Sequence, residues 1–259
     1  MVVLWWHISM PKMTLLEIVQ DILSDIDSDE VNSISSTVEA TQVANIVKST
    51  YFNIIDGRDW PHLYELFQLT SSGTTARPTH MAIPEGITEV SWVKYNCVEY
   101  GQTKDAFRKL IYLTPEKFME MSDLRNSTDA AINTVIDTTG VKIHIYNERA
   151  PTYYTSLDND FIILDAYDVA VDSTSQTSKT QCYGKRYPVW SAVDTFIPDL
   201  PVQAFSYLLN EAKSTTFLRF KQMPDQKAEQ NSVTQRRRMS QQAWKVQKGI
   251  SYPNYGRKK

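Results

Sequence analysis

Residues 199–212 read DLPVQAFSYLLNEA, and this stretch decides how the rest of the chain is arranged. Pro201 stands where a first helical turn tolerates a residue without an amide proton. Val202, Phe205, Leu208, Leu209 and Ala212 then recur at helical spacing, so a helix with one apolar face is predicted. Such a face must be buried against other helices, and the only comparable grammar lies at the opposite end of the chain. Thr14-Leu15-Leu16-Glu17 is a capping-box pattern followed by the stripe Leu15, Val19, Ile22, Leu23 and Ile26. The acidic stretch Asp25 to Glu30 ends that helix. Ser36-Thr37-Val38-Glu39 opens a second, with the stripe Val43, Ile46, Val47, Thr50 and Ile54 and with Gly57 as its C-cap. Two helices leave a face uncovered, and the Val202–Ala212 stripe covers it. Everything between is therefore an insertion.

The inserted residues have a different texture. Leu63–Leu69, Ile87–Val98, Leu110–Leu113, Val141–Tyr146, Thr152–Ser156 and Phe161–Leu164 read as strands. Turn residues separate them at Ser72-Gly73, Arg77-Pro78, Pro84-Glu85-Gly86 and Asp158-Asn159-Asp160. Thr114-Pro115-Glu116 starts a short helix running to about Leu124, Asp129–Asp137 is expected as a small turn or helix, and Asp172–Thr180 as a polar loop tip. The fold class is thus α+β: an antiparallel helical bundle (13–59 and 199–221), an inserted antiparallel β-sandwich or barrel with a short helix (60–198), and an extended C-terminal arm (222–259). Residues 1–12 form an N-terminal extension; their Trp5-Trp6 pair and Pro11 are unlike a helix start, and ordered structure is expected from near Met13.

The arm carries nine Lys or Arg and two acids, a net of +7, in a chain of net −3, so residues 1–221 hold −10. Basic, Gln-rich and only sparsely aromatic, it is expected not to bury enough apolar surface to offset its ordering entropy. It is read as a segment that orders on a partner. Trp244, Tyr252 and Tyr255 are candidate aromatic anchors. Arg236, Arg237, Arg238 and Arg257 are candidate carboxylate partners, while Pro253, Asn254 and Gly256 belong to the turn-forming terminal motif.

The composition, 42% apolar and 22% charged, is that of a globular protein. No run approaches the roughly 18 apolar residues of a membrane helix, and the opening lacks the charged leader and cleavage site of a signal peptide. Cys97 and Cys182 lie in unrelated contexts and are read as buried free thiols of a cytoplasmic product. His7, His62, His80 and His144 have no metal-ligand spacing. Asp25 with Asp27, and Asp158 with Asp160, sit in a helix end and a turn rather than a cleft. With no nucleophile motif and no phosphate-cradling glycine loop, no enzymatic site and no cofactor are expected.

Four motifs, in order, carry a resemblance: Arg58-Asp59-Trp60-Pro61, Arg77-Pro78-Thr79-His80-Met81-Ala82-Ile83-Pro84, Trp92-Val93-Lys94-Tyr95, and Tyr252-Pro253-Asn254-Tyr255-Gly256-Arg257 after Trp244 and Gly249. From Met13 to Lys259 the chain resembles the head-to-tail adaptors of short-tailed bacteriophages, also called tail tubular protein A or head-completion connectors. The resemblance implies a virion neck protein made in the host bacterial cytoplasm. It implies a self-assembled ring of twelve beneath the portal protein, with the C-terminal segment docked on the portal. It also implies a tail nozzle or tail tubular protein B-like component below, tail fibres as neighbours, and genomic DNA passing through the bore without sequence recognition. Two alternatives stay open: a nucleic-acid-binding protein acting through its basic tail, and a glycan hydrolase hidden in the β-rich segment.

Overall fold

The computed structural model describes residues 12–99, 101–137 and 139–241. The chain is mixed α+β and divides into two compact units, one formed by residues 63–187 and one by the chain on either side of it. Among the described residues there are five α-helices: α1 (Leu15–Asp25), α2 (Val38–Asp56), α3 (Pro115–Asp123), α4 (Val202–Phe220) and α5 (Gln226–Gln241). All but α3 belong to the discontinuous unit.

The starts of α1 and α2 are fixed by side-chain caps. At α1 the Thr14 hydroxyl accepts from the Glu17 amide at 3.3 Å, and the Glu17 carboxylate accepts from the Thr14 amide at 2.7 Å, the expected reciprocal box. At α2 the cap is Thr37, whose hydroxyl accepts from Ala40 N at 3.0 Å. Glu39 is therefore one position too early to close a box and instead accepts from the Ser28 hydroxyl. The stripes of α1 and α2 are buried as their spacing demands. On α4 the fully buried line is Ala204, Leu208, Ala212 and Thr216, whereas Val202 is exposed. These mostly small residues let α4 pack against α1, α2 and α5 together. Lys213 of α4 also reaches Asp21 and Asp25 of α1 at 2.8 and 2.5 Å.

Residues 60–62 and 188–198, placed by their sequence in the β-rich segment, group with the helices. Trp190 packs its ring on Tyr51, Phe52 and Phe196. The Asp194 carboxylate accepts from Ile34 N at 2.9 Å, and Leu15 N donates to Phe196 O at 2.7 Å. This strap satisfies amides left open at the start of α1 and before α2.

The second unit holds β1 (Tyr64–Phe67), β2 (Thr70–Ser71), β3 (His80–Ala82), β4 (Ile87–Asn96), β5 (Phe107–Lys109), β6 (Ile111–Tyr112), β7 (Ile132–Ile136), β8 (Lys142–Tyr146), β9 (Tyr153–Thr155), β10 (Phe161–Leu164) and β11 (Thr180–Arg186). One sheet has the order β1-β11-β4-β5, another β2-β3-β10-β9-β6, and β7-β8 pair apart. Val93, Tyr95 and Cys182 of the first sheet share one apolar cluster with Met81, Tyr154 and Ile162 of the second. Phe118 of α3 closes a separate cluster with Val135, Ile143, Ile145 and Ile163.

Three expectations are corrected here. The strands do not close into a barrel: both main sheets are open, with β1, β5, β2 and β6 at their edges. The pairing is not wholly antiparallel, because β6 pairs with β9 in parallel; the chain crosses from β5 to β6 through Leu110, whose buried side chain lies in the shared cluster. The 129–137 segment is not a small helix but contains β7, whose Val135 faces the α3 cluster. The expected extension 1–12 lies outside the described residues except for Lys12, whose ammonium sits 5.8 Å from the Phe205 ring centre.

Candidate functional site

The arm expected over 222–259 is not extended throughout: residues 226–241 form α5, which packs on α4. Gln222 takes a left-handed conformation (φ 54°) just after α4. Asp225 then caps the new helix, its carboxylate accepting from Lys227 N at 3.0 Å and Ala228 N at 3.1 Å. The face toward the protein is Ala228, Ser232, Gln235 and Met239, at spacings of four, three and four. Ser232 donates its hydroxyl to the Glu211 carboxylate, and the Gln235 amide donates to the Ser206 hydroxyl. Asn210 donates to the Gln235 carbonyl at 3.2 Å. A polar helix thus holds to α4 through small residues and side-chain hydrogen bonds rather than bulk apolar burial, the term that composition measures.

Arg236, Arg237 and Arg238 fall in the last described turns of α5, and all three are exposed. Arg236 lines a groove of about 380 Å³ between α2, α4 and α5. Arg58 and Arg219 line the same groove, with Glu211 as its single acid, and Tyr207, Trp60 and Met239 supply its less polar wall. An open stretch of about 400 Å³ continues beside Gln42, Asn45 and Phe220, sharing Ile46 and Arg219. Burial raises the pKa of the Tyr207 phenol, Glu211 raises it further, and Arg236 draws it back down. That ordering places a tyrosine, an acid and a guanidinium within electrostatic reach of one another.

Arg58 and Trp60, flagged by the RDWP motif, have a structural role. The Arg58 guanidinium donates to the Met239 carbonyl, near the negative end of α5. The same group lies 5.2 Å from the Trp60 ring centre, and the Trp60 indole donates to Ile54 O at 3.1 Å. The motif thereby ties the end of α2 to the end of α5. Of the remaining candidates, Trp244, Tyr252, Pro253, Asn254, Tyr255, Gly256 and Arg257 lie outside the described residues. Arg219, Tyr207 and Glu211 were missed. The only signal for them was their common helical phase within α4, which reads as an ordinary solvated face.

The other motifs and, His62 apart, the remaining candidate titratable groups resolve in the second unit. His80, in the RPTHMAIP stretch, is buried on β3 with its Nε2 3.6 Å from Asp137 Oδ1. Burial holds its pKa below the ordinary 6.5; Asp137 opposes the shift, Arg77 adds to it, and Asp158 opposes it weakly. The folded chain therefore binds this proton less readily than the unfolded one. The stability it contributes is present above pH 6.5 and is lost as pH falls through the depressed folded value. Urea midpoints measured at falling pH should drop for the wild type, and His80→Gln should flatten that slope; an unchanged slope would discard the assignment.

Trp92 of WVKY stacks on Tyr183, which stacks on Tyr64, and Lys94 lies 5.0 Å from the Trp92 ring centre. Both cysteines are buried and free, and burial pushes the Cys182 thiol up to about 12. Asp158 accepts from Asp160 N at 3.0 Å and Phe161 N at 2.9 Å, so it builds the turn before β10. His144 meets Thr134 at 3.0 Å, and His62 meets Asp199 O at 2.8 Å. Among the described residues, no group of three or more His, Cys, Asp or Glu is placed to hold a metal ion. No described helix is long and apolar enough to cross a membrane.

A scan against models of known protein families finds no match. A search of the curated proteins finds none either.

Proposed function

We propose that this chain is a structural virion protein, a head-to-tail adaptor that assembles as a ring of twelve beneath the portal and joins capsid to tail nozzle. In this reading the helical unit is a bundle that makes the ring and the inserted unit is a β-sandwich turned toward the tail components. The bore passes genomic DNA without reading it. The residues after Gln241, with Trp244, Tyr252 and Tyr255 as anchors and Arg257 as a carboxylate partner, dock on the portal.

The observation that carries the proposal is the exposed Arg236–Arg238 cluster on α5, immediately before a segment of five Lys or Arg and no acid. A helix fixed to the body gives that segment a set point of departure, which limits the entropy lost on docking. Repetition around a ring multiplies modest single-chain affinity. Deleting Tyr252–Lys259 is expected to leave circular dichroism and thermal unfolding unchanged while abolishing attachment to purified portal assemblies in negative-stain microscopy. Full attachment by the truncated protein would overturn the proposal.

The same arginine cluster favours one rival, binding of nucleic acid through phosphate contacts. Gel shifts with the full chain and with residues 242–259 removed separate the two. Tail-dependent binding that falls steeply with salt supports the rival, whereas salt-resistant attachment to portals supports the adaptor.

A further inference from the structure

A separate pocket of about 280 Å³ lies in the inserted unit, between the turn that precedes β3 and the turn that precedes β10. Arg77, His80, Asp137 and Asp158 line it, and Leu157 and Phe161 give it an apolar wall. One side of it is fixed from within: Arg77 O accepts from the Ser72 hydroxyl at 2.7 Å and from His80 N at 3.3 Å. Its size is near the lower limit for ligand pockets, about 300 Å³, and suits a single ring.

His80 is the first sign of an occupant. Its side chain is only 4% exposed, yet neither ring nitrogen has a hydrogen-bond partner within the protein. Asp137 Oδ1, 3.6 Å from Nε2, lies beyond hydrogen-bond reach. Buried polar groups are ordinarily satisfied, so this one calls for a partner. Arg77 is the second sign: its guanidinium makes no hydrogen bond or ion pair among the described residues. Asp158 spends Oδ1 on the amides of Asp160 and Phe161, which leaves Oδ2 available.

The charges decide the class of ligand. An anion would meet Asp137 and Asp158, and a cation would meet Arg77. A guanidinium only donates and an ionised carboxylate only accepts, whereas a neutral imidazole donates at one nitrogen and accepts at the other. Burial keeps His80 neutral at pH 7. Hydroxyl groups both donate and accept, so they answer all three in either imidazole tautomer. We infer that this pocket binds one neutral sugar ring. Arg77 donates to its hydroxyls, Asp158 accepts from them, His80 bonds one of them, and the C–H face of the ring rests on Phe161 and Leu157. The site lies wholly in the inserted unit and stands independently of the adaptor reading.

The test titrates the full chain with glucose, galactose and mannose, and with their methyl glycosides, up to about 100 mM, because a one-ring ligand binds at millimolar strength. The readout is the imidazole resonances of His80, identified by their loss in His80→Gln. They should move with at least one sugar, while those of His144 in the same unit stay still. Binding of a methyl glycoside assigns the site to the end of a glycan chain; binding of free sugars alone assigns it to a free sugar. Arg77→Ala should weaken binding by at least about tenfold, as expected for the loss of a charge-assisted hydrogen bond. Thr74→Trp, at the exposed rim of the pocket, should block it. Neither side chain has a bonding partner among the described residues, so both variants should fold, which circular dichroism checks.

His80 resonances that stay put with every sugar overturn the inference. So does a folded Arg77→Ala or Thr74→Trp protein that binds as tightly as the wild type.

Discussion

Arg125→Ala is expected to destabilise the protein by about 3–5 kcal/mol, the cost of leaving a buried carboxylate without its cation. Arg125 and Asp165 are both buried, with relative side-chain exposures of 5% and 6%. The guanidinium donates to His144 O at 2.8 Å and Asp165 O at 2.9 Å, and lies 3.5 Å from Asp165 Oδ2. The other carboxylate oxygen accepts from Thr152 N and Tyr153 N, both at 2.8 Å. One pair thus joins the end of α3, β8, the start of β9 and the end of β10. Burial works against both charges, pushing the Asp165 carboxyl up and the Arg125 guanidinium down. The Tyr153 and Thr152 amides and Arg125 pull the acid partway back. Urea unfolding of Arg125→Ala, Asp165→Leu and the double variant checks the account. The double variant should lose clearly less than the sum of the singles; strict additivity would show that the pair is not coupled.

Gly184→Val should be nearly as damaging, at about 3 kcal/mol, the upper end of overpacking costs. A β-carbon at Gly184 would sit 2.2 Å from the Glu89 carbonyl oxygen and 3.0 Å from a Phe67 ring carbon. The first contact is backbone and cannot rotate away. Strand β11 lies between β1 and β4, and the register shift beside Gly184 places it close against β4. Pushing it outward breaks ladder hydrogen bonds on both sides. Gly73→Ala is the control: its φ of +65° strains an alanine, yet nothing lies within 4 Å. It should cost only about 1 kcal/mol. Equal shifts in thermal midpoint for the two would mean that steric approach at Gly184 is not the cause.

Gly184 also explains why β11 could not be read from the sequence. TQCYGKR follows a Ser/Thr-rich loop and contains a glycine and two cations, all cues for a break. Its alternation becomes visible only once Thr180, Cys182 and Gly184 are seen buried on one face. The ten-residue alternating strand Ile87–Asn96 and the short continuous apolar run Phe161–Leu164 announced themselves, as did helices with side-chain caps at Thr14 and Thr37. Composition misjudged α5 because Ala228, Ser232 and Gln235 pack by being small or hydrogen-bonded, and hydropathy credits neither property. Of the candidate site, the arginine triplet was legible as charge. The groove was not, because Arg58, Arg219 and Arg236 are scattered along the chain and meet only through helix packing.

The attachment of Arg58 to the Met239 carbonyl has a mechanical meaning. Because α5 runs back along α4, its last described turn lies beside the end of α2 and the beginning of α4. A tug on the terminus along the helix axis would slide α5 past its neighbour, straining all its contacts at once. A tug across the axis would peel it one turn at a time, and Arg58 clasps the turn that would go first. Force carried into α5 from beyond Gln241 therefore pulls on the root of α2 as well.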